Sequence, residues 1–246
     1  MGMRGRWAAG ILATTESWRL SMFMIVLKKV LSPDQLARVR GILEISDFQD
    51  GRVTGGKRGM EKKDNLQVKP SEAIAKDVLP VIQQALYDHP VFRKYAMPKR
   101  IHLNINKYDE GMHYDDHTDA GLVGLFPHNA ARTDMSMTLF LNEPTDYDGG
   151  ELVVQMPTHE ERVKLPAGDA ILYSGGLIHR VEPITRGRRM GAFAWVESMI
   201  RDPLQRQLVY DLQVLRTDMA DKGADSDHIN AVDNCYNNLI RMWAEF

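Results

Sequence analysis

The sequence holds a single cysteine, Cys235, in 246 residues. One thiol excludes an intramolecular disulfide and zinc sites built on several thiolates, and it fits a reducing, cytoplasmic location. The sequence also has no strong excess of positive or negative charge, since 31 basic and 33 acidic residues give a formal net charge of -2. We therefore expect a small-molecule or peptidyl substrate, with no nucleic-acid partner and no membrane surface as a partner.

Long apolar runs are absent as well. The N-terminal run "WAAGILA" is short and contains glycine, and no stretch reaches the roughly 18 apolar residues that a membrane helix needs. We predict a disordered N-terminal extension over residues 1–23 and a folded domain over 24–200, which begins with the strand-like run "MIVLKKV". A helical extension over 201–246 is expected to pack on this core.

Helical spacing predicts the elements on either side of the core. Ser32, Pro33 and Gln35 match an N-cap with a capping box. Ser71 begins a second helical pattern, which we expect to kink near Pro80 because proline removes a backbone donor. After residue 202, two apolar stripes at helical spacing are typical of core or oligomer contacts. The stripes are Leu204, Leu208, Leu212 and Leu215, and Ile229, Val232, Tyr236, Leu239 and Trp243.

Short apolar runs separated by turn residues fill the region from about 99 to 200. Several short strands at close spacing favour an antiparallel sandwich or barrel over a parallel α/β sheet. The fold class is therefore α+β, mainly β. The predicted strands are "RIHLNINKY", "DMSMTLFLN", "GELVVQM", "ERVKL", "DAILYS" and "RMGAFAWVESM".

The stretch "HYDDHTDAGL", residues 113–122, concentrates imidazoles and carboxylates. In an extended segment alternate side chains share a face, so His117 and Asp119 point the same way. An imidazole nitrogen and a carboxylate oxygen suit a metal of intermediate hardness. Such pairs are also common in surface loops, so the pair alone does not establish a site.

A third ligand and an anchor for an anion follow in "YSGGLIHRVEPITRGRRMGAFAW", residues 173–195. His179 completes a face of two histidines and one carboxylate, which leaves open positions on Fe(II). Arg189 begins the last strand, and its guanidinium suits the distal carboxylate of a keto acid that chelates the iron. Alternation places Phe193 and Trp195 on the same face as Arg189, where they form an apolar wall.

These spacings resemble those of Fe(II)/2-oxoglutarate dioxygenases of the prolyl 4-hydroxylase type, and more closely those of bacterial PKHD-type hydroxylases. The resemblance runs from about Met24 to Phe246. It implies a double-stranded β-helix (jelly-roll) core with N-terminal helices and a C-terminal helical extension. The segments that carry it are "NKYDEGMHYDDHTD", "RTDMSMTLFLNEPTDYDGGELVV", "VKLPAGDAILY", "HRVEPITRGRRMGAFAWVESMIRD" and "NLIRMW".

The resemblance also implies roles for individual residues. His117, Asp119 and His179 match the iron ligands, and Arg189 matches the anchor of 2-oxoglutarate. Tyr108 falls where related enzymes hydrogen-bond this cosubstrate, and Trp195 falls where they place an aromatic ring beside the metal. The implied reaction uses Fe(II), 2-oxoglutarate and O2, with ascorbate as an optional reductant, and releases succinate and CO2. The carboxylate of Asp119 favours hydroxylation, because related halogenases have a small residue there.

Other functions stay open on the residues alone. A metal-binding β-barrel that acts as a sensor or store, or a zinc hydrolase, could use the same three ligands. Neither needs a guanidinium placed for a dicarboxylate, so Arg189 favours the dioxygenase. A further alternative is an interaction module, and a homo-oligomer would form through the C-terminal helices. The substrate is not identified, since a peptide, a free amino acid and a siderophore-like molecule all fit.

Weaker signals surround these motifs. By parity His113 shares the face of His117, where it contacts substrate or stays partly exposed, while Asn65 and Gln67 lie in a loop or edge strand near the site. The residues expected in solvent are Asp115, Asp116, Arg186 and Arg188, and the histidines at the surface are His89, His102, His128, His159 and His228. Met135 and Met137 alternate along a strand and are expected in the core.

Overall fold

A computed structural model describes residues 24–54, 61–124 and 128–246, so the extension predicted over 1–23 lies outside the described residues. No helix within these ranges is long and apolar enough to cross a membrane. The strands are β1 Met24–Leu27, β2 Phe48–Asp50, β3 Lys63–Asp64, β4 Leu66–Val68, β5 Pro98–Tyr108, β6 His113–His117, β7 Leu122–Val123, β8 Ala131–Arg132, β9 Met135–Phe140, β10 Tyr147–Gly149, β11 Leu152–Gln155, β12 Glu160–Val163, β13 Ala170–Ser174, β14 His179–Val181, β15 Ile184–Gly187 and β16 Arg189–Ser198. The α-helices are α1 Pro33–Glu44, α2 Leu79–Asp88, α3 Pro90–Ala96, α4 Pro203–Asp221 and α5 Ser226–Trp243.

Two antiparallel sheets form the core of the fold. The larger has the order β1-β13-β9-β16-β5-β4-β2, and the smaller has the order β12-β11-β14-β6-β3. The strands β10 and β15, and likewise β7 and β8, form two separate two-stranded sheets. The antiparallel sandwich predicted from the short apolar runs is confirmed, as is the jelly-roll core with flanking helices. All six runs predicted between residues 99 and 200 form strands.

Strand alternation divides the interior into an outer and an inner core. In β13, Leu172 packs with the helices on the outer side of the larger sheet, while Ile171 and Tyr173 face the smaller sheet. This explains why "DAILYS" reads as an unbroken apolar run, because both of its faces are covered. Met135 and Met137 belong to the outer core at 1% exposure, as predicted. The inner core leaves room for a cavity between the sheets.

The helices before the core follow their predicted caps. Ser32 Oγ accepts from Gln35 N at 3.2 Å, and Gln35 Oε1 accepts from Ser32 N at 2.9 Å, which is a complete capping box. Ser71 Oγ accepts from Ile74 N at 3.2 Å and caps the second helical segment. The irregularity expected near Pro80 is a π-helical turn over Ile74–Val78, directly before α2, where the missing backbone donor of proline disturbs the hydrogen-bond pattern.

The first apolar stripe of the C-terminal helices does not pack into the core. Leu204, Leu208 and Leu215 are 56%, 46% and 46% exposed, so this stripe does not lie in the core. Helix α4 instead buries Arg206, Val209 and Tyr210. Arg206 is buried because its Nη1 donates to two carbonyls, one of them Ile200 O at 2.8 Å, and its guanidinium lies 5.8 Å from the Tyr95 ring centre. The apolar spacing in α4 therefore did not predict which face of the helix is buried.

Candidate metal centre

His117 and Asp119 meet His179 at the inner face of the smaller sheet. His117 ends β6 and His179 begins β14, and the two are direct partners across these antiparallel strands. Asp119 lies two residues beyond the end of β6, and its Oδ2 is 3.8 Å from His179 Nε2. One ligand atom from each of the three residues lies within 4.8 Å of the others. This is a compact set of two nitrogens and one oxygen that could hold a metal ion.

Backbone carbonyls fix the tautomers of both histidines. His117 Nδ1 lies 2.7 Å from Asp115 O, and His179 Nδ1 lies 3.0 Å from Leu177 O. A carbonyl oxygen can only accept, so each Nδ1 carries the proton and donates. Each Nε2 therefore presents a lone pair, which is the arrangement that metal-binding histidines require.

The carboxylate of Asp119 is also held in place. Ser136 Oγ, on β9 of the larger sheet, donates a hydrogen bond to Asp119 Oδ2. The Asp119 side chain is 11% exposed. The triad is thus anchored to both sheets, although the three residues themselves come from the smaller sheet and the segment after it.

Burial keeps the His117 imidazole neutral at physiological pH. Burial, followed by the neighbouring charge of His179, lowers the pKa of His117 to about 4, against the opposing effects of the Asp115 carbonyl and the Asp119 charge. A neutral imidazole is the form that binds a metal. The donor set therefore fits a divalent cation of intermediate hardness such as Fe(II) or Zn(II).

Arg189 is a buried cation with unsatisfied donors in the same cavity. It is 1% exposed, and its Nε and Nη1 have no hydrogen-bond partner among the described residues. The guanidinium lies 5.2 Å from the Tyr108 ring centre and 5.4 Å from that of Phe140, contacts that orient it without neutralising its charge. Burying a charge without a partner is costly. This arrangement is therefore typical of a site that receives an anionic ligand.

A tight turn delivers Arg189 to this position. Gly187 ends β15 at φ 77°, and a Cβ there would lie 2.4 Å from Asp146 O, so only glycine fits. The next residue, Arg188, points outward and its Nε donates to Asp109 Oδ1 at 2.7 Å. Arg186 pairs with Asp148 at 2.7 Å. Both neighbours face solvent, as predicted, while Arg189 turns inward.

The triad and Arg189 line one cavity of about 680 Å³ between the two sheets. Tyr108 and Trp195 line it as well. Tyr108 is 1% exposed, and its hydroxyl accepts from Asn106 Nδ2 at 3.5 Å. Burial raises the pKa of Tyr108, and the Arg189 charge acts in the opposite direction. Trp195 packs edge-on against Phe193, with ring centres 5.1 Å apart, and forms part of an aromatic wall.

The remaining candidates divide between the cavity and the surface. Asn65 lines the cavity at 2% exposure, whereas Gln67 is buried beside it outside the lining, so neither lies in an exposed loop. His113 is not among the lining residues, and its Nε2 lies 3.5 Å from Asp115. Asp116 points outward to Gln155 Nε2 at 3.2 Å. Among the described residues, no second group of three His, Cys, Asp or Glu side chains could hold a metal.

One of the histidines expected at the surface has a structural task. His89 is half-buried and caps α3, since its Nδ1 accepts from Phe92 N at 3.3 Å. The signal for this cap was present in "HPVF", where a residue able to accept a hydrogen bond precedes proline. His102 is also half-buried, and the exposed ones are His128, His159 and His228.

Two cavity residues had no clear signal in the sequence. Ser136 lies in "DMSMTLF", where a polar residue alternates with apolar ones, and that alternation was the only hint that it faces inward. Lys63 lies in the charged run "EKKDN", which is typical of a solvated loop, yet it is 8% exposed and lines the cavity.

Comparison with known proteins gives matches along most of the chain. A profile of the 2OG-Fe(II) oxygenase superfamily matches residues 103–197, and a profile of the PKHD-type hydroxylase C-terminal domain matches residues 204–245. A PKHD-type hydroxylase of Synechococcus sp. is 40% identical over 223 residues, which cover 90% of this chain and 99% of that protein. One from Hyphomonas neptunium is 38% identical over 224 residues, with the same coverage of both chains.

A solved structure shares the fold. The prolyl hydroxylase from Trichoplax adhaerens, in complex with a hypoxia inducible factor oxygen degradation domain peptide fragment, superimposes with a TM-score of 0.54. The match covers 72% of this chain and 84% of that one, at 12% sequence identity. This likeness supports the jelly-roll architecture.

Proposed function

The chain belongs to the PKHD-type hydroxylases, a family of 2-oxoglutarate- and Fe(II)-dependent oxygenases, and we propose that it hydroxylates its substrate with iron held by His117, Asp119 and His179. The cosubstrate is 2-oxoglutarate bound through Arg189. The products besides the hydroxylated substrate are succinate and CO2.

One observation carries this proposal: the buried guanidinium of Arg189, with two unsatisfied nitrogens, shares a cavity with the triad. A sensor, a store or a zinc hydrolase needs the three ligands only. A dicarboxylate that chelates the metal at one end needs a fixed cation at the other, and a planar guanidinium can bind its distal carboxylate through two hydrogen bonds.

The protein groups bind and orient, and the metal supplies the oxidation. His117, Asp119 and His179 would hold the ion through three ligand atoms, and its other coordination positions would be available to ligands that exchange. Ser136 fixes the Asp119 carboxylate, and the backbone carbonyls keep both Nε2 atoms unprotonated. Bound Fe(II) supplies the chemistry by which O2 oxidises 2-oxoglutarate to succinate and CO2 and hydroxylates a C–H group.

Tyr108 and Trp195 complete the proposed site. Tyr108 lies beneath the Arg189 guanidinium, from where its hydroxyl can hydrogen-bond the cosubstrate. Trp195 and Phe193 limit the cavity on the side of β16 and exclude water from the substrate. Ascorbate as a reductant stays an expectation from the family resemblance.

Anaerobic titration with Fe(II) and 2-oxoglutarate tests the proposal. The two together should give the visible charge-transfer band of an iron-chelated keto acid, which neither gives alone. Admission of O2 should then release succinate. If iron binds and the band does not form, the site is a metal store or sensor, and the proposed reaction is wrong.

A further inference from the structure

Lys63 introduces a second buried cation into the cavity. It lies on β3, the edge strand of the smaller sheet, and pairs with Tyr114 of β6. Its Nζ is 5.5 Å from the Tyr114 ring centre, and the Tyr114 ring stacks on His117 with centres 3.6 Å apart. Only one aromatic ring therefore separates the ammonium from a proposed metal ligand.

The chain crosses from one sheet to the other directly after Lys63. β3 belongs to the smaller sheet and β4 to the larger, and Asn65 is the residue between them. Lys63, Asn65 and Gln67 are buried, whereas the alternate residues Lys62, Asp64 and Leu66 are not. The crossing therefore presents one polar, buried face at the side of the cavity.

Asn65 offers hydrogen-bonding groups that the protein does not use. It is 2% exposed, and neither its Nδ2 nor its Oδ1 meets a partner in hydrogen-bond geometry. The amide lies close to the Tyr108 hydroxyl, whose pKa burial raises and the nearby Asn65 amide lowers in part. A Cβ at Gly51 would lie 1.8 Å from Asn65 Oδ1, so the glycine makes room for this side chain. Buried amide groups without partners are uncommon. The arrangement points to a ligand.

The charges that balance Lys63 change when the site is loaded. Asp119 and Asp50 are among the groups whose charges act on Lys63, and Asp50 also pairs with Arg52 at 3.1 Å. Once Asp119 binds a divalent metal, its charge is shared with that ion. A carboxylate group of the substrate placed beside Lys63 would take over the interaction that Asp119 then shares with the metal.

We propose that Lys63 and Asn65 form a subsite for a carboxylate of the substrate, which places this anionic group beside the metal while the apolar part of the substrate packs on Phe193 and Trp195. The inference rests on the proposed function, because it assumes a cavity loaded with metal and 2-oxoglutarate. The substrate is then a carboxylate-bearing compound with an apolar body, either a free amino acid or the C-terminal residue of a peptide.

Fluorine NMR on the Zn(II)- and 2-oxoglutarate-loaded protein tests this without turnover. The probes are 4-fluorophenylalanine and its N-acetyl derivative, each compared with its carboxamide. We expect the carboxylate probes to bind at least about tenfold more tightly than the carboxamides, as for loss of a charge-assisted hydrogen bond. If only 4-fluorophenylalanine binds tightly, the substrate is a free amino acid. If the N-acetyl derivative binds as tightly as 4-fluorophenylalanine, the substrate is the C-terminal residue of a peptide.

Three variants test whether Lys63 and Asn65 cause the preference for carboxylate over carboxamide. Lys63→Met, which keeps the apolar stem, should abolish the preference for carboxylate, Lys63→Arg should retain part of it, and Asn65→Ala should reduce it about fivefold. Lys76→Met, which removes an exposed lysine paired with Glu72, is the matched control and should behave like the wild type. Equal binding of carboxylate and carboxamide, no binding of either, or a preference that survives Lys63→Met would overturn the inference.

The charge-transfer band separates this inference from the proposed function. Lys63→Met should still form the band with Fe(II) and 2-oxoglutarate, because Arg189 and the triad are unchanged. Absence of the band in the wild type would refute the proposed function. A normal band without a carboxylate preference would refute the subsite alone.

Discussion

Arg189 and Tyr108 are direct partners across β16 and β5, with the guanidinium carbon 5.2 Å from the Tyr108 ring centre. Strand pairing thus sets the position of the buried Arg189 cation, and the guanidinium packs against the Tyr108 ring. The remaining donors of the cation face a cavity that also contains the triad.

Replacing Arg189 by leucine should weaken 2-oxoglutarate about ten- to a hundredfold, because a hydrogen bond to a charged group contributes about 1.5–3 kcal/mol. Iron affinity should stay nearly unchanged. Lysine should rescue only in part, since it lacks the planar fork. The measurement is a titration of the charge-transfer band with 2-oxoglutarate. Arg188→Leu is the control, because Arg188 faces solvent and pairs with Asp109; equal cosubstrate affinity in both variants would exclude the anchor.

Asp119→Gly should retain some iron, because two imidazoles and the chelating keto acid still supply donors, but hydroxylation should collapse. Removal of either histidine should abolish both iron binding and turnover. Metal analysis and succinate formation measure the two effects. Asp116→Gly should keep near-normal activity, since Asp116 points outward toward Arg180 and Gln155. An inactive Asp116→Gly beside an active Asp119→Gly would mean that the ligand register is wrong.

Ser136→Ala should lower iron affinity about tenfold, the lower end of the range for groups that orient a metal ligand. The reason is that Asp119 loses the hydroxyl that fixes its Oδ2. Ser46→Ala removes a hydroxyl that donates to Ile42 O at 2.7 Å and does not line the cavity, and it serves as the control. Competition with a chromogenic chelator gives the affinities. Unchanged affinity in Ser136→Ala would show that the carboxylate needs no such support.

The metal-free protein should lose stability as the pH falls from 6.5 to about 4. The folded-state pKa of His117 is about 4, against 6.5 for an ordinary histidine, so between these values only the unfolded chain binds the proton. The contribution of His117 to stability is therefore greatest above pH 6.5 and declines below it, by on the order of 3 kcal/mol at pH 4. Denaturant unfolding at several pH values measures this slope. His117→Gln, which cannot titrate, should show a shallower slope, and an identical one would assign the effect to other groups.

Sequence spacing alone located much of the molecule. Ser32 and Gln35 predicted the cap of α1 because capping depends on residues three apart. The apolar runs predicted the strands because alternation and turn residues are local properties. His117 and Asp119 could be placed on one face for the same reason, and His179 and Arg189 joined them through their order along the chain and through resemblance. The structure brings these four residues into one cavity. Their roles in binding iron and 2-oxoglutarate are part of the proposed function.

Tertiary structure decided what depends on distant segments. Lys63 reads as a solvated lysine, yet the crossing between sheets at Asn65 turns it into the cavity. Ser136 reaches Asp119 only because the two sheets face each other. Leu204 and Leu208 have the spacing of a buried stripe, but they are exposed. The face of α4 that packs on the core contains Arg206 and Val209 instead. Local periodicity fixes which residues share a face, whereas burial of that face depends on which distant segment packs against it.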